Sequence, residues 1–177
     1  MVKKTKTAVF AGGCFWCMEP PFAGLDGVIS VLPGYTGGDT PNPTYAQVCG
    51  GGTGHYEAVQ IEYDPERISY ARLIDVFFRQ IDPEDAGGQF ADRGTQYRTA
   101  IFYADAEQRE SAIAALRALE KSGRFPKGIK TRILPAGEFY AAEEYHCRYF
   151  EKNPALYNRY KEGSGRAAYL RRKWGKA

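Results

Sequence analysis

Apolar and polar residues fall into short runs, some alternating and some continuous, with glycine- and proline-rich stretches between them. The runs predict strands and helices in turn. Residues 7–11 read as a strand. Residues 14–23 read as a helix strained by Pro20 and Pro21, which cannot donate backbone hydrogen bonds. A strand over 27–32, a loop over 33–42 and a short helix over 43–49 follow. Residues 55–63 alternate and predict another strand. Ser69 is the candidate N-cap of a helix over 70–81, with Leu73, Val76, Phe77 and Ile81 on one face. Residues 82–96 form a long polar loop, and 98–103 a strand. Asp105 and Gln108 have capping-box spacing, with Asp in place of Ser or Thr. They open a helix through Ala112, Leu116 and Leu119 that stops at Gly123. A strand over 129–134 and a helix over 141–152, ended by Asn153-Pro154, complete the pattern. This alternation predicts a mixed α/β sandwich. Its loops at 33–54 and 82–96 are longer than connections require, which is where binding groups tend to lie.

One strand carries an acid in an unusual place. Along residues 55–63 the odd positions are Glu57, Val59, Ile61 and Tyr63, so Glu57 shares the apolar face. A carboxyl desolvated there has a raised pKa and can donate a proton near neutrality. A strand beginning after Glu57 would instead leave the side chain solvated.

Composition narrows the function classes. A chain of 177 residues suits one domain with an ample core and, from 155 to 177, a tail packed on it or extending from it. The net charge of +3 is too small to argue for nucleic acid. Basic residues near the end (Arg166, Arg171, Arg172, Lys173, Lys176) read as a solvated face. Four cysteines in this length do not suggest a secreted disulfide scaffold, and no apolar stretch is long enough to span a membrane. Lys3-Lys4 followed by Ala11-Gly12-Gly13-Cys14 faintly resembles a lipoprotein cleavage site, but the apolar run between them is too short for a signal segment. The expectation is a cytoplasmic protein.

The densest chemistry lies in Gly12-Gly13-Cys14-Phe15-Trp16-Cys17-Met18. Cys14 stands where a strand hands over to a helix, and unpaired N–H groups at a helix start favour a thiolate nucleophile. Cys17 completes a C-x-x-C, a spacing that can close a disulfide across one turn. Two structural cysteines at an apolar junction is the plainer alternative.

Several motifs occur together and in order. They are Gly13-Cys14-Phe15-Trp16, Gly34-Tyr35-Thr36-Gly37-Gly38, Asn42-Pro43-Thr44-Tyr45, Val48-Cys49, and Thr53-Gly54-His55 followed by Glu57-Ala58-Val59. Asp82-Pro83, Asp92-Arg93-Gly94-Thr95-Gln96-Tyr97-Arg98, Phe139-Tyr140, Ala142-Glu143, Tyr145-His146 and Lys152-Asn153-Pro154 continue the series. Across nearly the whole chain this closely resembles the peptide methionine sulfoxide reductase type A family. The resemblance implies an α+β fold, a two-layer sandwich with a mixed, mainly antiparallel sheet and a ferredoxin-like core. It implies that Cys14 attacks the sulfoxide sulfur, releasing methionine and leaving a sulfenic acid. Phe15 and Trp16 match the aromatics that receive the substrate methyl group, and Glu57 the acid that protonates the oxygen. Tyr45 and Tyr97 match tyrosines that hydrogen-bond that oxygen, and Asp92 a carboxylate that orients the site or binds substrate. It further implies specificity for the S epimer, action on free and protein-bound residues, no cofactor and no metal. The expected partners are oxidised proteins and a thioredoxin-type reductant, with the enzyme itself a monomer.

Cys49 reads as a buried structural thiol and His55 as structural; the pattern gives His146 and Cys147 no role. The chain departs from many relatives in having Cys17 where they have glycine and no cysteine after Pro154. Cys17, one helical turn from Cys14, is the expected resolving thiol, with Cys147 the next candidate and Cys49 or an external thiol after it. Two other classes compete. A thioredoxin-like disulfide oxidoreductase would share the C-x-x-C. A zinc module would draw on Cys14, Cys17, Cys49 and His146 or Cys147, without the two close-spaced ligand pairs such sites favour.

Overall fold

The computed structural model describes residues 4–175; Lys3 and Lys176, invoked above, lie outside them. Its main sheet has six strands, in the order β7-β6-β1-β3-β2-β8. These are β1 (Lys6–Gly12), β2 (Val28–Thr36), β3 (Tyr56–Tyr63), β6 (Thr99–Tyr103), β7 (Arg132–Pro135) and β8 (Phe139–Ala141). Every pairing is antiparallel except β6 with β7. A parallel neighbour needs a crossover, and helix α5 (Ala106–Lys121) supplies it. The central order β6-β1-β3-β2, with helical connections after β1 and after β3, is the ferredoxin-like arrangement. The α+β fold with a mixed, mainly antiparallel sheet is thus the one the family resemblance implies.

Strand β3 lies centrally, and its first four residues are all buried because both sheet faces are covered there. On one face Phe10, Ile61, Leu73, Phe77 and Ile101 form the main core with helix α4 (Tyr70–Phe78). On the other, Val9, Ala58, Ala100 and Phe102 form a smaller cluster. The predicted caps are in place: Ser69 accepts from the Arg72 amide and Asp105 from the Gln108 amide. Helix α4 ends at Phe78 rather than Ile81.

Four expectations need correction. The helix predicted over 14–23 is two four-residue helices, α1 (Phe15–Met18) and α2 (Pro20–Ala23). Prolines at the first positions of α2 have no N–H to continue the ladder, so the chain caps and restarts at Glu19. Strand β2 runs on through Pro33–Thr36, predicted as loop, because β8 pairs along it. Gly34 permits this: a Cβ there would lie 2.4 Å from the Tyr140 carbonyl oxygen. The loop at 82–96 folds into a two-stranded ribbon, β4 (Gly88–Gln89) with β5 (Asp92–Arg93), and a 3-10 turn over Thr95–Tyr97.

The helix predicted over 141–152 is likewise absent. Strand β8 is followed by a 3-10 turn, Glu144–His146, then α6 (Tyr149–Lys152), with Arg148 left-handed at φ 53°. Tertiary contacts override the helical pattern. The Trp16 indole holds His146, and the Glu19 carboxylate accepts from the Arg148 amide at 2.9 and 3.0 Å.

The final segment, expected as a tail packed on the domain or extending from it, forms α7 (Pro154–Gly163) and α8 (Arg166–Trp174). Tyr157, Ala167 and Tyr169 are buried. The basic run is not simply a solvated face: Arg166 is 1 % exposed, while Arg171 pairs with Glu162. Among the described residues no helix is long and apolar enough to cross a membrane.

Candidate active site

Strand β1 ends at Gly12, and the turn into α1 sets Cys14 at the helix N-cap. The glycine pair is required by close packing. Gly13 has φ +83°, and a Cβ on it would sit 2.6 Å from the Gln89 side chain. A Cβ on Gly12 would meet the Met18 sulfur at 2.5 Å. Cys14 and Cys17 are both buried and unpaired, one helical turn apart, with the Cys17 amide donating to the Cys14 carbonyl at 3.1 Å.

Glu57 lies on β3 beneath this turn and is 1 % exposed. Its carboxyl accepts from the Phe15 amide at 3.1 Å, so the helix-start N–H that follows Cys14 is engaged by the acid. Burial pushes the Glu57 pKa up to about 8, against the Phe15 hydrogen bond and reinforced by the charge of Asp92. The predicted strand-face environment is therefore the observed one, and the group is mostly protonated at neutrality.

The predicted depression of the Cys14 pKa is not found. Burial, a hydrogen bond with Cys17 and the charge of Glu57 push the Cys14 thiol up. Helix α1 has only four residues, and its first amide points at a carboxyl. Cys17 is instead lowered to about 7, chiefly by the hydrogen bond from Cys14 and then, against burial, by Arg166 and Lys161. Of the two thiols, Cys17 is therefore the more acidic.

Aromatic side chains wall the site. Phe15 is buried against Tyr35 and Tyr45, with ring centroids 5.8 and 6.3 Å away. Trp16 stacks on Tyr149 at 3.9 Å and meets Tyr160 edge-on at 6.1 Å. His146 wedges between Phe15, Trp16 and Tyr45 at 4.9, 5.8 and 4.4 Å. The Trp16 indole N–H donates to His146 Nδ1 at 3.0 Å. With Nδ1 accepting, the imidazole proton sits on Nε2 and the ring is neutral, in keeping with the pKa that burial lowers.

Tyr45 opens helix α3 (Tyr45–Cys49), which Thr44 and Gln47 cap reciprocally. Glu143 fixes this helix to the site, accepting from the Tyr45 amide and the Tyr35 hydroxyl, both at 3.0 Å. Burial raises the pKa of Tyr45 and of Tyr97, so both hydroxyls stay protonated donors. Cys49, expected as a buried structural thiol, is only partly buried; its sulfur lies 3.7 Å from the Tyr97 hydroxyl. Asp92 on β5 accepts a hydrogen bond from the Tyr160 hydroxyl. His55 braces the adjoining loop, its Nδ1 accepting from the Gly38 amide at 3.1 Å and its Nε2 2.7 Å from the Thr40 carbonyl oxygen.

The fold thus gathers Cys14, Phe15, Trp16, Cys17, Tyr45, Glu57, Asp92 and Tyr97 around one turn. Sequence reasoning missed Tyr149, in the segment predicted as one helix over 141–152, and Tyr160, in the tail without predicted elements. It gave His146 no role, although the Tyr145-His146 pair lies in a recognised motif. Cys147 stands beside the site, between the residues that Trp16 and Glu19 hold. Among the described residues no group of three or more His, Cys, Asp or Glu side chains is placed to hold a metal ion.

Comparison with known proteins accords with this geometry. The family profile described as "Peptide methionine sulfoxide reductase" matches residues 6–177. A Bacillus subtilis protein named "Peptide methionine sulfoxide reductase MsrA" is 53% identical over 175 residues, covering 99% of each chain. Among solved structures, Mxr1 from Saccharomyces cerevisiae in reduced form superimposes with a TM-score of 0.80 at 35% identity, covering 88% of this chain and 89% of that one. Methionine sulfoxide reductase A of Corynebacterium diphtheriae gives 0.75 at 37% identity, over 85% and 76%. With the matching profile running from β1 to the end of the chain, the protein belongs to the peptide methionine sulfoxide reductase family.

Proposed function

We propose that the chain reduces methionine S-sulfoxide, free or in proteins, to methionine, with Cys14 as nucleophile and Glu57 as proton donor. The observation that carries this reading is a buried carboxyl, its pKa pushed up by desolvation, that accepts from the amide following Cys14. The substrate methyl group packs against Phe15 and Trp16. Its oxygen takes hydrogen bonds from Tyr45 and Tyr97 and the proton of Glu57. Cys14 sulfur attacks the substrate sulfur and gives its own proton to the Glu57 carboxylate. The sulfur–oxygen bond of the substrate breaks, the hydroxyl passes to Cys14 and methionine leaves. The methionine sulfur is reduced and Cys14 is oxidised to the sulfenic acid. Asp92 and Tyr160 orient the rim of the site.

Cys17 is the group suited to the next step. Its anionic sulfur attacks Cys14 sulfur, a disulfide forms, and the hydroxyl leaves as water with the proton of Glu57. A thioredoxin-type dithiol then restores both thiols, in a monomeric enzyme working in the cytoplasm; four unpaired cysteines suit such a reducing compartment. After one equivalent of substrate without reductant, peptide mapping should find Cys14 joined to Cys17. Cys17→Ser should still form one methionine but lose thioredoxin-supported turnover. Normal turnover by this variant, with two thiols still lost per cycle, would transfer the role to Cys147 or Cys49.

Tyr45 and Tyr97 share one task, so each Tyr→Phe change should cost the reductive step about 10-fold and the double change on the order of 10²- to 10³-fold. Single-turnover rates check this, and a double variant at the wild-type rate would remove both hydroxyls from the mechanism.

A further inference from the structure

Arg166 is the largest fully buried side chain, and it comes from the segment that looked most like a solvent-exposed basic run. At the head of α8 it reaches into the junction between β1 and α1. One guanidinium nitrogen donates to the Gln80 carbonyl at 2.6 Å and lies 3.9 Å from the Met18 sulfur; the other donates to the Gly12 carbonyl at 3.0 Å. The Phe90 ring lies 4.7 Å from its charged carbon. All four partners are neutral. A buried cation without a carboxylate is unfavourable unless another anion faces it. The thiol pair flanks these partners: Cys14 follows Gly13, whose missing side chain leaves room for the guanidinium (a Cβ there would stand 2.9 Å from Nη2), and Cys17 precedes Met18.

We propose that Arg166 is the fixed counter-charge of the Cys14–Cys17 pair, a positioning residue by which the C-terminal segment completes the active site. It holds the Gly12–Gly13 turn by its hydrogen bond and adds its positive charge to the Cys14 hydrogen bond in favouring a thiolate at Cys17. The groups facing the Cys17 thiol are Cys14 at the N-cap, Glu57 on β3, Asp92 on β5, Tyr157, Tyr160 and Lys161 on α7, and Arg166 on α8. Glu57 is protonated at neutrality and the tyrosine hydroxyls are pushed up by burial, so Asp92 is the opposing charge and Lys161 the assisting one. Of the two cations, only Arg166 is fully buried and fixed by hydrogen bonds at the turn itself. The consequence is a division of labour: Cys14 keeps its proton until substrate arrives, while Cys17 stands ready as the attacking thiolate. This use of the charge rests on Cys17 being the resolving thiol, but the charge pairing itself does not.

The test is a thiolate titration of the reduced protein at 240 nm, without substrate. The wild type should show an inflection near pH 7, the value set for Cys17. Arg166→Lys should keep it near there, whereas Arg166→Met and Arg166→Gln should move it up by about one pH unit or more. Arg166→Lys keeps the charge but has a single donor nitrogen for the two carbonyls, so a value held there and raised in the neutral variants reports charge rather than lost anchoring. An inflection that stays near 7 in either folded neutral variant would overturn the proposal. Should neither neutral variant fold, the wild type itself decides the matter. The Arg166 Nε–H resonance should move with pH through the same inflection and stay flat in Cys17→Ser, and a flat signal in the wild type would reject the pairing. Peptide mapping of the oxidised protein separately reports whether Cys17 is the resolving thiol, so the two failures are distinguishable.

Discussion

Cys14→Ser is expected to abolish sulfoxide reduction, with turnover below about 10⁻⁴ of the wild-type rate. A serine hydroxyl is far less acidic and less nucleophilic than a thiol. Glu57 takes a proton only after giving its own to the sulfoxide oxygen, and a carboxylate is too weak a base to ionise an alcohol. Nor can Cys17 substitute, since its sulfur lies one helical turn further along, away from the cap position to which Glu57 is tied through the Phe15 amide. Steady-state methionine formation in dithiothreitol checks this, and appreciable turnover by the serine variant would remove Cys14 from the mechanism. The protein should remain folded, because the substitution conserves shape at a partly polar cap.

Glu57→Gln has the second largest expected effect. The amide can still accept from the Phe15 N–H, so the turn is preserved, but it cannot deliver a proton. Loss of a positioned general acid slows the chemical step by about 10²- to 10⁴-fold. The pH dependence carries the sign. The Glu57 pKa is raised to about 8, and the protonated form is the active one. The wild-type reductive step should therefore be full below pH 7 and fall as pH rises through about 8. In Glu57→Gln that alkaline fall should vanish along with most of the rate. Single-turnover methionine release from pH 6 to 9.5 measures both, on the order of the window set by that pKa. A retained alkaline limb would assign the titration to another group.

Much of this was legible in the sequence because it depends on local pattern. Glu57 follows the period-2 alternation of its strand, and its burial results from β3 being central. The glycine pair before Cys14 marks a turn too crowded for side chains. What the pattern could not give is set by contacts distant in the chain. The 141–152 segment has helical periodicity, yet Trp16 and Glu19 hold it open at His146 and Arg148. Pro33 argues against a strand, yet pairing with β8 extends β2 past it. Arg166 lies in a run of basic residues, and only the packing of α8 on the β1–α1 junction distinguishes it from Arg171 and Arg172. The acidity of the thiols was misread for the same reason. Local reasoning assigns the helix-start field to Cys14, whereas burial and a carboxyl from β3 reverse its direction.

The most direct measurement is a single turnover of Cys17→Ser with the separated S and R epimers of methionine sulfoxide, in the presence of dimedone and without reductant. The account predicts one methionine per protein from the S epimer, none from the R epimer, and a dimedone adduct on the peptide that carries Cys14. Methionine released with no adduct at Cys14, or with the adduct on Cys49 or Cys147, would contradict the claim that Cys14 receives the sulfoxide oxygen.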